Sequence, residues 1–324
     1  MKRTVLGAVL AALVGLAGAP AKSDTVKVAW SGITEELFQT FIVSEGLRAL
    51  GYKVDEPTQV QIQLAHVSIG NGDLTLYAAH WDPLHQKFRQ EAGGEAKLMP
   101  VGRLSSNSLQ GYLIDKKTAD ATGIKYLDEL ADPAKAKLFD IDGNGKADLY
   151  GCESGWGCER VIEHQLTAYG LRKTVEHKQG GYFAIIPDAI ERIKAGKPTL
   201  YYTWTPLWLS GVLRPGKEVV WLNVKKTSLP DNRTGNTMVE GLGNLGFVVN
   251  HQRVIASTPW LKANPKARKF LELVAVPIGD INAQNLLVNK GEKSDRQIKG
   301  HAKAWIAKNK AQWDKWLAAA KAAK

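Results

Sequence analysis

The chain has 324 residues, a formal net charge of +11 and two cysteines, a length that suits about two domains. Its lysines are scattered rather than striped and no nucleic-acid motif accompanies them, so the basic balance reads as solvated surface and excludes nucleic acid as a partner. No segment beyond the amino terminus is long and apolar enough to span a bilayer, which excludes an integral membrane protein.

At the start, Lys2 and Arg3 precede a short apolar run over 5–16, and Ala19-Pro20-Ala21 supplies small residues at a cleavage spacing. Residues 1–21 read as a secretory signal peptide, which makes the mature chain exported and soluble. A strand is predicted at 25–30 and a helix at 34–50, stopped by Gly51. Strands at 59–66 and 74–80 follow, the latter ending at Trp81. This β-α-β order indicates a mostly parallel sheet with helices outside it. Further on come a strand at 110–115, a helix-and-turn region at 125–133 and a helix at 157–169. A helix at 184–194 precedes a strand at 199–203, which ends at Trp204. Strands at 219–224 and 245–249, helices at 259–274 and 280–289, and a last helix at 298–322 complete the chain. Two α/β units without a linker imply lobe one at 22–108 plus 245–324, with lobe two, 109–244, inserted and crossings near Gln110 and Gly243.

A phrase is repeated: Trp-Asp-Pro-Leu at 81–84 and Trp-Thr-Pro-Leu at 204–207. Each falls at the carboxyl end of a strand, where open α/β sheets bind ligands. Of ten tryptophans, Trp221, Trp260, Trp305, Trp313 and Trp316 read as packing. Trp81, Trp156 and Trp204 instead sit beside Gly or Pro at strand ends or in loops. Ring faces converging on a cleft hold a quaternary ammonium, which cannot donate a hydrogen bond, at ~0.5–2 kcal/mol per face. Next to Trp156, Gly157 and Cys158 open a helix whose first N–H groups lack internal partners and so form a seat for an anion. His85 could add a donor from the other lobe; a surface histidine is the alternative. The ligand implied has a methylated cation at one end and a carboxylate at the other. Cys152 and Cys158, five residues intervening in an exported chain, argue for one disulfide.

The stretches "ITEELFQT", "GYLIDKKTAD", "GNGKADLYGCESGWGCE", "HQLTAYGL", "YYTWTPLWLS", "PGKEVVWLNV" and "DINAQN" closely resemble the ProX family of periplasmic glycine betaine-binding proteins, which serve ProU-type ABC transporters. The resemblance spans nearly the whole mature chain. It implies a two-lobed α/β substrate-binding fold of type II kind, each lobe a mostly parallel sheet flanked by helices, and a monomer that docks on a membrane permease. It also implies an aromatic box of Trp81, Trp156 and Trp204, carboxylate contacts from His85 and the N–H groups of Gly157 and Cys158, and the Cys152–Cys158 disulfide. Asp82 departs from the family pattern, which has an uncharged Thr there; a carboxylate beside the cage predicts broader tolerance of choline-like cations.

In "FDIDGNGKADLYG", Asp140, Asp142, Asn144 and Asp148 stand at positions 1, 3, 5 and 9 of a calcium-loop spacing, with the Lys146 carbonyl at 7. Gly151 replaces the bidentate Glu at position 12. The two readings are a structural Ca2+ bracing the Cys152–Cys158 loop and a metal-free Asp/Asn/Gly turn. No nucleophile elbow, zinc-protease, P-loop or convincing dinucleotide motif is present, so catalysis is not expected. Alternatives are a binding protein for choline, carnitine or dimethylsulfoniopropionate, and an exported enzyme acting on methylated amines.

Overall fold

The computed structural model describes residues 25–324; residues 1–24, and with them the signal-peptide expectation, lie outside the described residues. Among the described residues there are twelve strands: β1 (Val28–Trp30), β2 (Thr58–Gln59), β3 (Leu76–Asp82), β4 (Leu98–Ser108), β5 (Gln110–Asp115), β6 (Ala147–Tyr150), β7 (Val175–Lys178), β8 (Leu200–Trp204), β9 (Val219–Leu222), β10 (Met238–Val239), β11 (Gly243–Asn244) and β12 (Asn250–Ser257). They form two five-stranded sheets, ordered β2-β1-β3-β12-β4 and β7-β6-β8-β5-β9, and a small β10-β11 hairpin. In the first sheet β1 runs parallel to β2 and β3, while β12 is antiparallel to β3 and β4. The second repeats the scheme: β6 is parallel to β7 and β8, and β5 is antiparallel to β8 and β9. The central strands β5 and β8 are buried along their whole length, as expected where helices cover both faces.

Four elements differ from the sequence expectation. The segment at 59–66 keeps only β2 as strand and then forms the helix Ile62–Asn71. Its buried residues Ile62, Ala65, His66, Ile69 and Gly70 recur at the helical period, and Gly72 ends it in a left-handed conformation. The strand expected at 245–249 begins only at Asn250. The helix expected at 259–274 divides at Asn264-Pro265, where the proline has no N–H to continue the ladder. The terminal helix divides at Asn309, whose side-chain amide donates to the Trp305 carbonyl at 2.8 Å. Strands β4, β6 and β7 were not foreseen; β4 carries Pro100 and Gly102 and a left-handed Asn107, which dilute its strand signal.

Each sheet has its own apolar interior. Trp305, Trp313 and Trp316 are buried in the first, against Phe38 and Phe270, so the terminal helices dock on the body. Only Leu109 separates β4 of one sheet from β5 of the other. The return crossing runs from β9 through the β10-β11 hairpin to β12.

Candidate functional site

Trp81 is the penultimate residue of β3, Trp156 precedes the helix Gly157–Ala168, and Trp204 ends β8. All three line one cavity between the sheets. The Trp156 and Trp204 rings stand 5.6 Å apart at 77°. Tyr182 backs Trp204 at 4.6 Å, which fixes that indole against the second lobe. Trp81, though borne by the first sheet, packs into the hydrophobic cluster of the second lobe. Trp156 packs against clusters of both. The cage therefore exists only with the lobes together.

The anion seat lies beside it. The helix Gly157–Ala168 receives no side-chain cap at its start, so the Gly157 and Cys158 N–H groups remain as free donors at the cavity wall. Cys152 and Cys158 are joined in a disulfide, Cα–Cα 5.9 Å. Behind the ring, the Cys152 N–H donates to His177 Nε2 at 2.9 Å and His177 Nδ1 pairs with Glu163 at 2.7 Å. Gly155 N–H donates to the Glu159 carboxylate at 2.8 Å, so the ring is held at both ends. A Cβ on Gly157 would stand 2.9 Å from Leu84 Cγ and 3.2 Å from His85 Cδ2, across the cleft. Glycine is required there because the other lobe closes to that distance.

His85 is 3% exposed. Its Nδ1 accepts the Trp81 N–H at 3.2 Å, which assigns the ring proton to Nε2, next to the Cδ2 edge that faces Gly157. Burial, then the neighbouring His66, hold it well below the usual histidine range. It is thus a neutral N–H donor at pH 7. His66 and His80 extend the cluster. His66 Nδ1 bonds the Ile62 carbonyl at 2.7 Å and its Nε2 meets His80 Nδ1 at 2.9 Å. The three imidazoles lie close enough to share a metal ion, but these bonds already use the facing nitrogens of His66 and His80.

The structure adds wall residues that sequence reasoning missed: Glu35, Glu36, Gln39, Gln110, Tyr202 and Gln252. Glu36 accepts from Ser31 Oγ at 2.7 Å and Tyr77 OH at 2.9 Å. Burial raises both glutamates to about 7. Gln110 Oε1 accepts from Tyr202 OH at 2.7 Å, while its Nε2 is buried without a partner. The available signal was the polar set Glu35, Glu36 and Gln39 at the head of a helix otherwise apolar at Leu37, Phe38, Phe41 and Ile42; buried polar groups need a reason.

Both repeated turns contain a cis X-Pro bond, Asp82-Pro83 and Thr205-Pro206. Each is tied to one interlobe crossing. Leu84 N–H donates to Asn250 Oδ1 at 3.0 Å, at the head of β12. Thr205 N–H donates to the Leu109 carbonyl at 2.9 Å, and Leu109 N–H to Thr205 Oγ1 at 3.3 Å. Asp82 does not stand beside the cage as the sequence suggested. Alternation along β3 turns it away from the Trp81 face, and its carboxylate pairs with Arg253 at 2.8 Å.

In the Asp140–Asp148 turn, the carboxylates of Asp140, Asp142 and Asp148 do converge, but the donor set is already engaged. Lys178 Nζ lies 2.9 Å from Asp142, 2.8 Å from Asp148 and 2.8 Å from Glu176. Asp140 accepts the Gly143 and Gly145 N–H groups, and Asn144 Oδ1 accepts that of Lys146. An ammonium thus stands where the calcium reading needs an ion, with Gly151 at position 12; the turn does not fit a bare calcium loop.

Residues 24–308 match the substrate-binding domain of ABC-type glycine betaine transport systems. The chain is 50% identical over 305 residues to the glycine betaine-binding periplasmic protein OusX of Dickeya dadantii (strain 3937), covering 94% of this chain and 92% of that one. It is 46% identical over 304 residues to the glycine betaine/proline betaine-binding periplasmic protein of Escherichia coli (strain K12), with the same coverage. In fold it is similar to lactococcal OpuAC in a closed form complexed with glycine betaine (TM-score 0.68, 19% identity, 90% of this chain and 99% of that one). It is also similar to an ABC-transporter choline-binding protein in complex with choline (TM-score 0.68, 19% identity, 92% and 97%). Among the described residues no helix is long and apolar enough to cross a membrane.

Proposed function

Because the chain belongs to the family of substrate-binding domains of ABC-type glycine betaine transport systems, we propose that it captures glycine betaine, or a closely related methylated zwitterion, and delivers it to a membrane permease for osmoprotectant uptake. One observation carries this reading: indoles from both lobes and an uncapped helix start line the same cavity. The trimethylammonium rests among Trp81, Trp156 and Trp204. The carboxylate receives N–H groups from Gly157, Cys158 and His85. Contacts from opposite lobes stabilise the closed arrangement by as much as they are absent from the open one.

Choline is the weaker ligand on this reading. It fills the cage but leaves the seat unpaired, and each buried donor so stranded costs ~1–3 kcal/mol. A binding protein rather than an enzyme is the reading its family supports, since that family is one of substrate-binding domains. Export to the periplasm follows the named relatives. A monomer suffices, since one chain supplies both halves of the cavity. Calorimetric titration of ligand-stripped protein with glycine betaine, choline and carnitine tests the proposal. Saturable one-to-one binding with glycine betaine strongest is expected; no heat with any of them refutes it.

A further inference from the structure

Glu35 is 6% exposed and lines the cavity, yet it takes part in no ion pair among the described residues. It comes from lobe one, on the turn Thr34–Glu36, and faces the aromatic wall of lobe two. Trp208 of that lobe lies near its carboxylate, whose charge is also felt by Tyr182, the ring packed on Trp204. The groups around it offer no positive charge. Glu36 is a second acid. Tyr77, Tyr182 and Tyr202 are buried phenols held above their usual range, and His85 is neutral. The helix Ile278–Asn289, packed on the same turn, brings one ionisable group, Asp280, which accepts from Trp305 Nε1 at 2.8 Å. A buried acid in such a setting is costly when charged.

Indole faces carry a quadrupole but no net charge. They leave a buried onium without a counter-ion on its own side of the cavity, since the carboxylate of a betaine lies at the far seat. We propose, resting on the function above, that Glu35 is the counter-charge of the site: it gives up its carboxyl proton to solvent as a quaternary ammonium enters, so cation capture and proton release are one event. The onium has no acidic proton, so the proton leaving comes from the protein. Glu36 differs in that both its oxygens already accept hydroxyl donors, Ser31 and Tyr77. The same coupling specifies the substrate class. A neutral osmolyte of equal size cannot drive the ionisation, whereas a permanent cation can.

With the lobes together and no ligand present, burial raises Glu35 to about 7. Glycine betaine binding at pH 6 should therefore release close to one proton, at pH 8 close to none, and the Kd should weaken roughly tenfold from pH 8 to pH 6. The count comes from titrating glycine betaine in two buffers of different ionisation enthalpy at pH 6. Glu35→Gln should abolish the release and flatten the pH dependence of Kd. Glu35→Asp should restore them. Saturable binding at pH 6 with no release, or with proton uptake, overturns the proposal. So does a Glu35→Gln protein that releases as many protons as wild type. If Glu35→Gln does not fold, the wild-type buffer pair and Glu35→Asp still decide. Absence of any binding at pH 8 would sink the functional reading itself and is distinguishable from every outcome above.

Discussion

Gly157→Ala sets two effects of opposite sign against each other. The added Cβ would lie 2.9 Å from Leu84 Cγ and 3.2 Å from His85 Cδ2, against an optimum near 3.5–4.0 Å for carbon pairs. Both neighbours belong to the opposite lobe and His85 is buried, so relief requires the lobes to part by about 0.5–1 Å at the point where the carboxylate is seated. Overpacking of this kind costs roughly 1–3 kcal/mol, here charged only to the closed form. That corresponds to a Kd weaker by about fivefold to 150-fold. In the separated lobes the same methyl meets nothing across the cleft, and replacing glycine near a helix start stabilises by about 0.4–1 kcal/mol through the unfolded chain. The ligand-free Tm should hold or rise while affinity falls. Calorimetry for Kd and a thermal melt of stripped protein read the two quantities separately. A variant within twofold of wild type in Kd would show that Leu84 and His85 do not close on Gly157 in the bound state, and the seat would have to be placed elsewhere.

Trp156→Ala should weaken glycine betaine binding by one ring face, ~0.5–2 kcal/mol, with little change in Tm, because that ring is half-buried at the rim. Trp204→Ala should lose a similar amount of binding and also ~3–5 kcal/mol of folding stability, since it is packed on Tyr182 and Tyr202; equal melts for the two variants would contradict this. Reducing the Cys152–Cys158 bond should lower stability by ~2–3 kcal/mol and weaken binding as well, through loss of a fixed Gly157–Cys158 edge; calorimetry under reductant checks both. For pH, burial holds His66 at about 4, below its ordinary 6.5, so its share of stability is full above pH 6.5 and is lost on acidification, about 2 kcal/mol by pH 5. Glu36, raised to about 7 from 4.5, keeps its proton in the fold, so its penalty is relieved between pH 7 and pH 5 by about 2 kcal/mol. Glu36→Gln removes that relief and should lose about 2 kcal/mol more than wild type over the same interval in urea unfolding; identical pH profiles would argue against it. Chelators should leave the melting temperature unchanged, and a drop on adding EGTA would mean that calcium displaces Lys178 from the Asp142 and Asp148 carboxylates.

The parts of the site readable in the sequence are those whose chemistry is local. Trp156, Gly157 and Cys158 adjoin one another in a glycine-flanked disulfide ring. Trp81 and His85 sit four apart around a proline turn, so type and spacing suffice. Glu35 and Gln110 depend on how the lobes meet, and nothing in a linear pattern shows which polar residues will face a cavity. Asp82 misled because strand alternation sends neighbours to opposite faces, and Arg253, which holds it, lies on β12, far along the chain. Lys178 reaches the Asp142 and Asp148 carboxylates through the parallel β6-β7 pairing, with Tyr150 opposite Lys178, a register that spacing within the turn does not reveal. The helix Ile62–Asn71 was missed for a different reason: the span at 59–66 is too short to separate the two periodicities.

The ties of the two proline turns to Asn250 and Leu109 bear on how occupancy becomes visible from outside. A solute pressing on either indole also loads a turn bonded to one of the two crossings between the halves. Any change in the angle between the outer faces would then follow from what the cavity holds. A receptor on the membrane need only sense that angle to tell a loaded carrier from a vacant one, and never has to touch the cargo.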